Sequence, residues 1–396
     1  MRNYILLIIL AIVFVTCKQS EFIKPTNSCV VSTDLILATN HPKKSELIAL
    51  MDEYIKKGIP GVTVLIKDND GVLVQSMGFA DIENNIPMQP CHINKLGSIT
   101  KMMIGTLVWQ LVQENKINID APISTYIPNI ASKITNGDQI TTAMLLNHTA
   151  GVYDIARDLG FNLAVVDDFT KPWTSEQVLK YIVNKPATHL PGAKVSYSNS
   201  HTLLVGLIIE AITGMPHGEF LKQRIFDPLN MNNTVYYDYS NSFPKNHLAQ
   251  GYLDFNNDGG SIQNISNLNP GSGNAYTGVY STVFDLYKFM DALMVQQSFT
   301  TPENLDFILS NMKETDTKEW KSSVGSIHRE FMDILPDSII AYGHGGGDIG
   351  YSANLNYLPH NQTIFAATFN YGTNLPSPLG NVLKEFRQKL ILLAAK

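Results

Sequence analysis

"GSITKMMIG", residues 97–105, sets Ser98 three positions ahead of Lys101 at the head of an apolar run. Ile104, Leu107, Val108, Leu111 and Val112 recur at helical spacing and predict a helix there. Positions i and i+3 share a helical face, so the hydroxyl and the amine are neighbours. A serine on the first turn sits where backbone N–H groups lack partners and the helix dipole is positive, which favours a developing oxyanion. A lysine one turn on can hydrogen-bond that hydroxyl. Once desolvated it loses its proton more readily and can act as a base. The same pattern also fits a serine that merely caps a helix. It gains chemical meaning only from the rest of the chain.

The 396 residues fit one large domain or two interleaved ones. A hydrophobic content of 44% against 16% charged residues places the chain among globular proteins rather than disordered ones. The formal net charge is −6 and no basic stripe is present, which argues against a nucleic-acid partner.

Residues 1–17 read as a targeting segment. "MRNY" is a short basic start and "ILLIILAIVFV" an apolar run too short to span a bilayer, as in a signal peptide. Cys17 directly after it resembles the acylation site of bacterial lipoproteins, although its box is Phe14-Val15-Thr16-Cys17. An ordinary secretory signal with an unrelated cysteine is the alternative. Either way the expectation is export to a bacterial periplasm or cell envelope. Lipid on Cys17 would make the anchor the only membrane contact. Residues 18–40 are polar and mixed and read as a tether to a domain over 41–396. The remaining cysteines, Cys29 and Cys91, could pair in an oxidising compartment. No Cys/His cluster has zinc spacing, and no metal or cofactor is expected.

Residues 45–58 carry a Ser cap, helically spaced apolar residues and a Gly stop. Val62 to Ile66 and Val72 to Ser76 flank the turn Asn69-Asp70-Gly71 and predict a hairpin. Residues 99–320 are mostly helical patterns and loops, including helices over 200–214 and 281–294. "SIIAYGHGG", "GYSANLNYLP" and "TIFAATFNYG" are strand-like, and a last helix covers about 376–393. The fold class expected is therefore α/β (α+β). One antiparallel sheet, from about 43–96 and 322–396, is flanked by the terminal helices, with a mostly helical lobe inserted over about 97–321.

Two further stretches give Ser98 company. In "PGAKVSYSNS" a phenol, Tyr197, and an amide, Asn199, stand two apart after a Pro-Gly turn, and both can face a cleft. In "AYGHGGGDIGY", His344 leads into Gly345, Gly346 and Gly347, where missing side chains let substrate approach a strand backbone.

With these three motifs in order, the chain resembles the serine β-lactamase and penicillin-binding protein superfamily. It is most similar to the branch of class C β-lactamases, D-alanyl-D-alanine carboxypeptidases and related esterases, whose pattern is S-x-x-K, Y-x-N, then K-T-G or H-x-G. "LLNHTAGVYD", "IFDPLNMNNT" and "GVYSTVFDLYKF" also look like segments of that branch, and the likeness runs over about 43–392. The resemblance implies a β-lactamase/transpeptidase-like fold and an acyl-enzyme on Ser98. Lys101 and Tyr197 would share the proton transfers, in an order left open. Asn199 would hold Lys101 and a substrate amide. The oxyanion hole would be the N–H groups of Ser98 and Gly347, and His344, Gly345 and Gly346 would support substrate.

His344 departs from the lysine usual in β-lactamases of this branch and, when neutral, attracts a substrate carboxylate less. Arg329 is the candidate replacement for that charge, against the favoured alternative of a solvated surface arginine. The function expected is an exported serine hydrolase acting on a peptide, amide or ester, in the manner of a carboxypeptidase or esterase. A small molecule, a cell-wall peptide or a β-lactam would be its partner. A class C-like β-lactamase and a non-catalytic penicillin-binding or sensor protein are the alternatives. His148 is expected to shape a loop, Tyr351 either to line the cleft or to pack, and Asp348 to disfavour anions nearby. "DFNNDGG" is expected to be a polar turn, because Ile265 stands where a calcium loop needs Glu.

Overall fold

Asp70 donates its backbone N–H to the Asp68 carboxylate at 2.9 Å, and Gly71 takes φ +117°, so the chain reverses tightly between two strands. These are β1 (Gly61–Asp68) and β2 (Gly71–Asp81) of a computed structural model. The structure describes residues 24–27, 35–236, 247–257, 261–268, 273–373 and 377–396. The expected signal segment, Cys17 and Cys29 lie outside these; Cys91 is in a disulfide. Where described, the segment read as a tether lies against the domain: Ala38 N–H donates to Val72 O at 2.9 Å, and Gln89 Nε2 to Asn27 O at 2.6 Å.

The main sheet adds β3 (Ile86–Pro87), β4 (Lys313–Glu314), β5 (Lys321–Ser322), β6 (His328–Glu330), β7 (Ala341–Asp348), β8 (Tyr351–Leu358) and β9 (Thr363–Phe369). Its nine strands run in the order β3-β2-β1-β9-β8-β7-β6-β5-β4, with antiparallel neighbours. The two ends of the chain meet in its middle, where Val62 pairs with Phe369. Strand side chains alternate between faces. Val62, Val64 and Ile66 pack with α1 (Lys44–Lys56) and the C-terminal helix, whereas Leu65 joins the core on the other face. Tyr54 of α1 stacks on Phe386 of the C-terminal helix, ring centroids 4.5 Å apart. α1 begins one residue before the predicted Ser45, with Lys43 at the cap and no side-chain bond there. Its anchorage is the buried row Leu47, Met51 and Tyr54 rather than a cap.

On the opposite face lies α2 (Ile99–Gln113). The sequence suggested an apolar stripe, but every residue from Ile99 to Leu111 is buried. A helix covered on all sides needs small residues where neighbours cross. Gly105 is one: a Cβ there would stand 2.2 Å from Gly325 O. α3 (Asn199–Thr213) stops at Gly214, φ +67°, as its sequence predicted. α4 (Val283–Met290) opens at Thr282, whose hydroxyl accepts from Asp285 N–H, and α5 (Pro378–Ala395) closes the chain. A small second sheet joins Asn94–Lys95, just before the inserted lobe, to Val279–Ser281 and Val235–Tyr236 within it. Strands of two or three residues carry no readable periodicity, so this sheet left no signal in the sequence.

Candidate active site

Ser98 immediately precedes α2 with helical dihedrals, and its side chain makes no capping bond. The capping alternative therefore fails. Instead its Oγ accepts hydrogen bonds from Tyr197 OH at 2.8 Å and Lys101 Nζ at 3.0 Å. Lys101 is fully buried on the face of α2 that carries Ser98. Its Nζ also donates to Asn199 Oδ1 at 2.9 Å and to the Tyr276 backbone carbonyl at 2.7 Å. Asn199 opens α3 rather than sitting in a loop, and its N–H is held by Asp154 Oδ1 at 3.0 Å. Thus α2, the start of α3 and the loop at Tyr276 converge on one amine.

Burial lowers the Lys101 pKa to about 7, with Asp154 and Asp348 offsetting part of the shift. A neutral amine has two N–H bonds and one lone pair. Asn199 Oδ1 and Tyr276 O can only accept, so on deprotonation they keep the two N–H bonds, and the Lys101–Ser98 bond reverses: the lone pair then accepts from the Ser98 hydroxyl. Tyr197 is held protonated, because burial raises its pKa well above the usual phenol value. Its O–H therefore donates to Ser98 Oγ.

The strand backbone is brought to this point by missing side chains. A Cβ on Gly97, which has φ +53°, would stand 2.4 Å from Gly347 O, and one on Gly346 would stand 1.9 Å from Leu96 O. The segment before α2 and strand β7 thus touch backbone to backbone. β6 pairs only with Ala341, Tyr342 and Gly343, so β7 beyond them has one edge without a strand partner. Gly345 N–H points to that side and donates to Glu330 Oε1 at 2.8 Å. Amides two residues apart share an edge, so Gly347 N–H points the same way, beside Ser98. Gly345 and Gly346 differ from expectation: Gly345 faces Arg387 of α5 and Gly346 faces Leu96, so both fit strand to neighbour rather than facing substrate. Gly346→Ala is expected to push Leu96 to Ser98 off β7. Labelling by a fluorophosphonate should then slow by about 10²–10³, the usual effect of losing one oxyanion donor. An unchanged labelling rate in a cooperatively melting variant would refute this account.

His344 sits next to this edge but is buried. Its Nδ1 donates to Gly345 O at 2.6 Å rather than to Tyr197, whose ring centroid is 6.2 Å away. Burial and the nearby Lys101 hold its pKa down to about 3, so the ring is neutral. His148 is fully buried at φ +61° and packs its ring 4.4 Å from that of Tyr197, a positioning role. Its tautomer follows from its neighbours. Val152 N–H donates to His201 Nε2, so neutral His201 carries its proton on Nδ1 and donates it to His148 Nδ1 at 3.1 Å. Asp154, His201 and the Tyr276 carbonyl were not anticipated; a backbone acceptor has no side-chain signature.

Ser98, Asn199 and Gly347 line a cleft of about 550 Å³ whose walls are largely apolar, including Ile155, Phe161, Phe169 and Phe255. Asp348 is the one formally charged side chain lining it, among the described residues. Its carboxylate accepts from Thr277 Oγ1 and Ile349 N–H, each at 2.7 Å. Arg329 is not in this lining; its guanidinium donates to Asp337 O. Tyr351 packs, fully buried, with its hydroxyl on Ala249 O. Asp254 and Ile265 are buried, and residues 258–260 of the proposed polar turn lie outside the described residues.

The family model described as Beta-lactamase matches residues 47–383. The chain is 27% identical over 253 residues to teichoic acid D-alanine hydrolase of Staphylococcus aureus, covering 63% of this chain and 58% of that protein. It is 26% identical over 212 residues to Protein flp of Staphylococcus aureus strain MW2, covering 53% of this chain and 41% of that one. The chain thus spans about half the length of the curated relatives it matches. D-amino acid amidase from Ochrobactrum anthropi SV3 superposes with a TM-score of 0.76 at 23% identity, covering 88% of this chain and 97% of the amidase. That likeness establishes the fold class expected from the sequence.

Proposed function

This chain belongs to the beta-lactamase family, and we propose that it is a serine hydrolase that deacylates esters or amides of amino acids bearing a free α-ammonium group. The hydrogen-bond set on Ser98 Oγ carries this reading: a protonated phenol on one side and an amine poised near neutrality on the other. As Ser98 Oγ attacks the acyl carbon, its proton passes to Lys101 Nζ and the carbonyl oxygen becomes an oxyanion between the Ser98 and Gly347 N–H groups. Collapse breaks the bond to the leaving alcohol or amine. That group takes a proton from the Lys101 ammonium, directly or through Tyr197. Water then attacks the acyl-enzyme by the same steps in reverse order.

The cleft supports the choice of substrate. Peptides ending in D-alanine and β-lactams each present a carboxylate, yet the one formal charge among the described lining residues is Asp348. A carboxylate in an apolar cleft attracts a cation and repels an anion. Among relatives, one is named a teichoic acid D-alanine hydrolase and a structural neighbour a D-amino acid amidase. Amino-acid esters and amides carry the ammonium that Asp348 would receive. Export, and lipid on Cys17, belong to the same proposal and rest on residues 1–17 alone.

The test compares a D-alanine ester and a D-phenylalanine amide with their N-acetylated forms, with a peptide ending in a free carboxylate, and with penicillin. The free amines should be turned over at least about tenfold faster, one factor of ten being about 1.4 kcal/mol of recognition. Asp348→Asn should erase that preference. Rapid penicillin turnover would instead identify a β-lactamase. Absence of fluorophosphonate labelling would favour a non-catalytic protein.

A further inference from the structure

We propose that His328, Glu330 and His344 form a binding site for a zinc-class divalent transition-metal ion, at the β6–β7 junction behind Tyr197. The ligand atoms of these three side chains all lie within 4.8 Å of one another, and the two imidazole centroids are 4.0 Å apart. Nε2 of His328 and Nε2 of His344 are both buried without a hydrogen-bond partner. A buried polar atom left unpaired costs about 1–3 kcal/mol, so two together call for an occupant.

The surroundings match what a metal site needs. A ligating histidine usually donates its other ring N–H to a carbonyl or carboxylate, which leaves the lone pair on the ligating nitrogen. His344 does this through Nδ1 to Gly345 O at 2.6 Å. Glu330 is oriented in the same way, its Oε1 accepting from Gly345 N–H and its Oε2 from Asn356 Nδ2, each at 2.8 Å. Two imidazoles and one carboxylate, with a fourth position open, suit Zn²⁺ or Co²⁺ rather than Ca²⁺ or Mg²⁺. Glu330 and Trp320 line a cavity of about 440 Å³, and Trp320 stacks on His328 at 4.3 Å. Linear spacing could not reveal the set, since His328 and His344 come from two strands that pair antiparallel.

The experiment uses the untagged full chain, stripped with chelator, and titrates ZnCl₂ against a competing chromophoric chelator. Co²⁺ loading is followed in parallel by its visible absorption. One ion per chain is expected, with a tetrahedral Co²⁺ band. Affinity should fall in both His328→Gln and Glu330→Gln by more than the roughly 10–100-fold that loss of an outer-shell partner causes. Melting curves identify a variant that fails to fold, in which case the other variant and the wild-type Co²⁺ spectrum decide. No stoichiometric binding, or binding unchanged in a folded variant, overturns the site and leaves a buried water as the occupant. Neither outcome bears on turnover through Ser98.

Discussion

Replacing Ser98 with alanine is expected to lower turnover by about 10⁶, the scale seen when a serine hydrolase loses its nucleophile. Fluorophosphonate labelling should vanish while the domain still melts cooperatively. Ser98 is half-buried at the open end of α2 and caps nothing, so alanine leaves the helix intact. What it removes is the common acceptor of Tyr197 OH and Lys101 Nζ. Lys101 keeps Asn199 and Tyr276 as partners, whereas Tyr197 is left with an unpaired hydroxyl, a penalty of about 1–3 kcal/mol unless water enters. Labelling that persisted in this variant would place the nucleophile elsewhere.

Lys101→Met is expected to slow acylation by about 10²–10⁴, the usual contribution of a positioned base. It should also remove a pH dependence. With a pKa of about 7, Lys101 is increasingly neutral as pH rises through 7, so wild-type acylation should climb to a plateau above that value. Stability carries the same signature. The folded state releases the Lys101 proton near pH 7, whereas the unfolded chain keeps it to about 10.5. Between these values the unfolded state binds more protons, so stability rises with pH. The destabilising contribution is full below about pH 7 and gone above about 10.5. Denaturant melts of wild type and Lys101→Met, taken at several pH values, should therefore diverge in favour of wild type as pH increases. Parallel stability curves would mean that the lysine titrates normally and is not the base.

Several features of the site follow from local chemistry and could be read along the chain. Ser98 and Lys101 meet because helical periodicity brings i and i+3 together. The hairpin at Asn69 to Gly71 and the stop at Gly214 are turn chemistry, legible in a few residues. Other parts are less legible along the chain. The cap assigned to Ser45 is a bare backbone start, and the stripe on α2 is a helix buried all round. Local pattern does not say how many neighbours surround a helix. Gly345 and Gly346 looked like room for substrate, but they are the places where Arg387 and Leu96 pass. A glycine announces a close approach without naming what approaches.

By itself, then, the sequence carried the resemblance to the family through three ordered motifs, and the fold class through the order of helical and strand patterns along the chain. Only the tertiary structure decided that Lys101 is neutral enough to accept a proton. That depends on burial and on acceptors from residues 199 and 276, about 100 and 175 positions away. It also decided that His344 turns to Gly345 rather than to Tyr197, and that His328 lies against it. Desolvation and cross-strand pairing are properties of what surrounds a residue, and a linear sequence does not carry its surroundings.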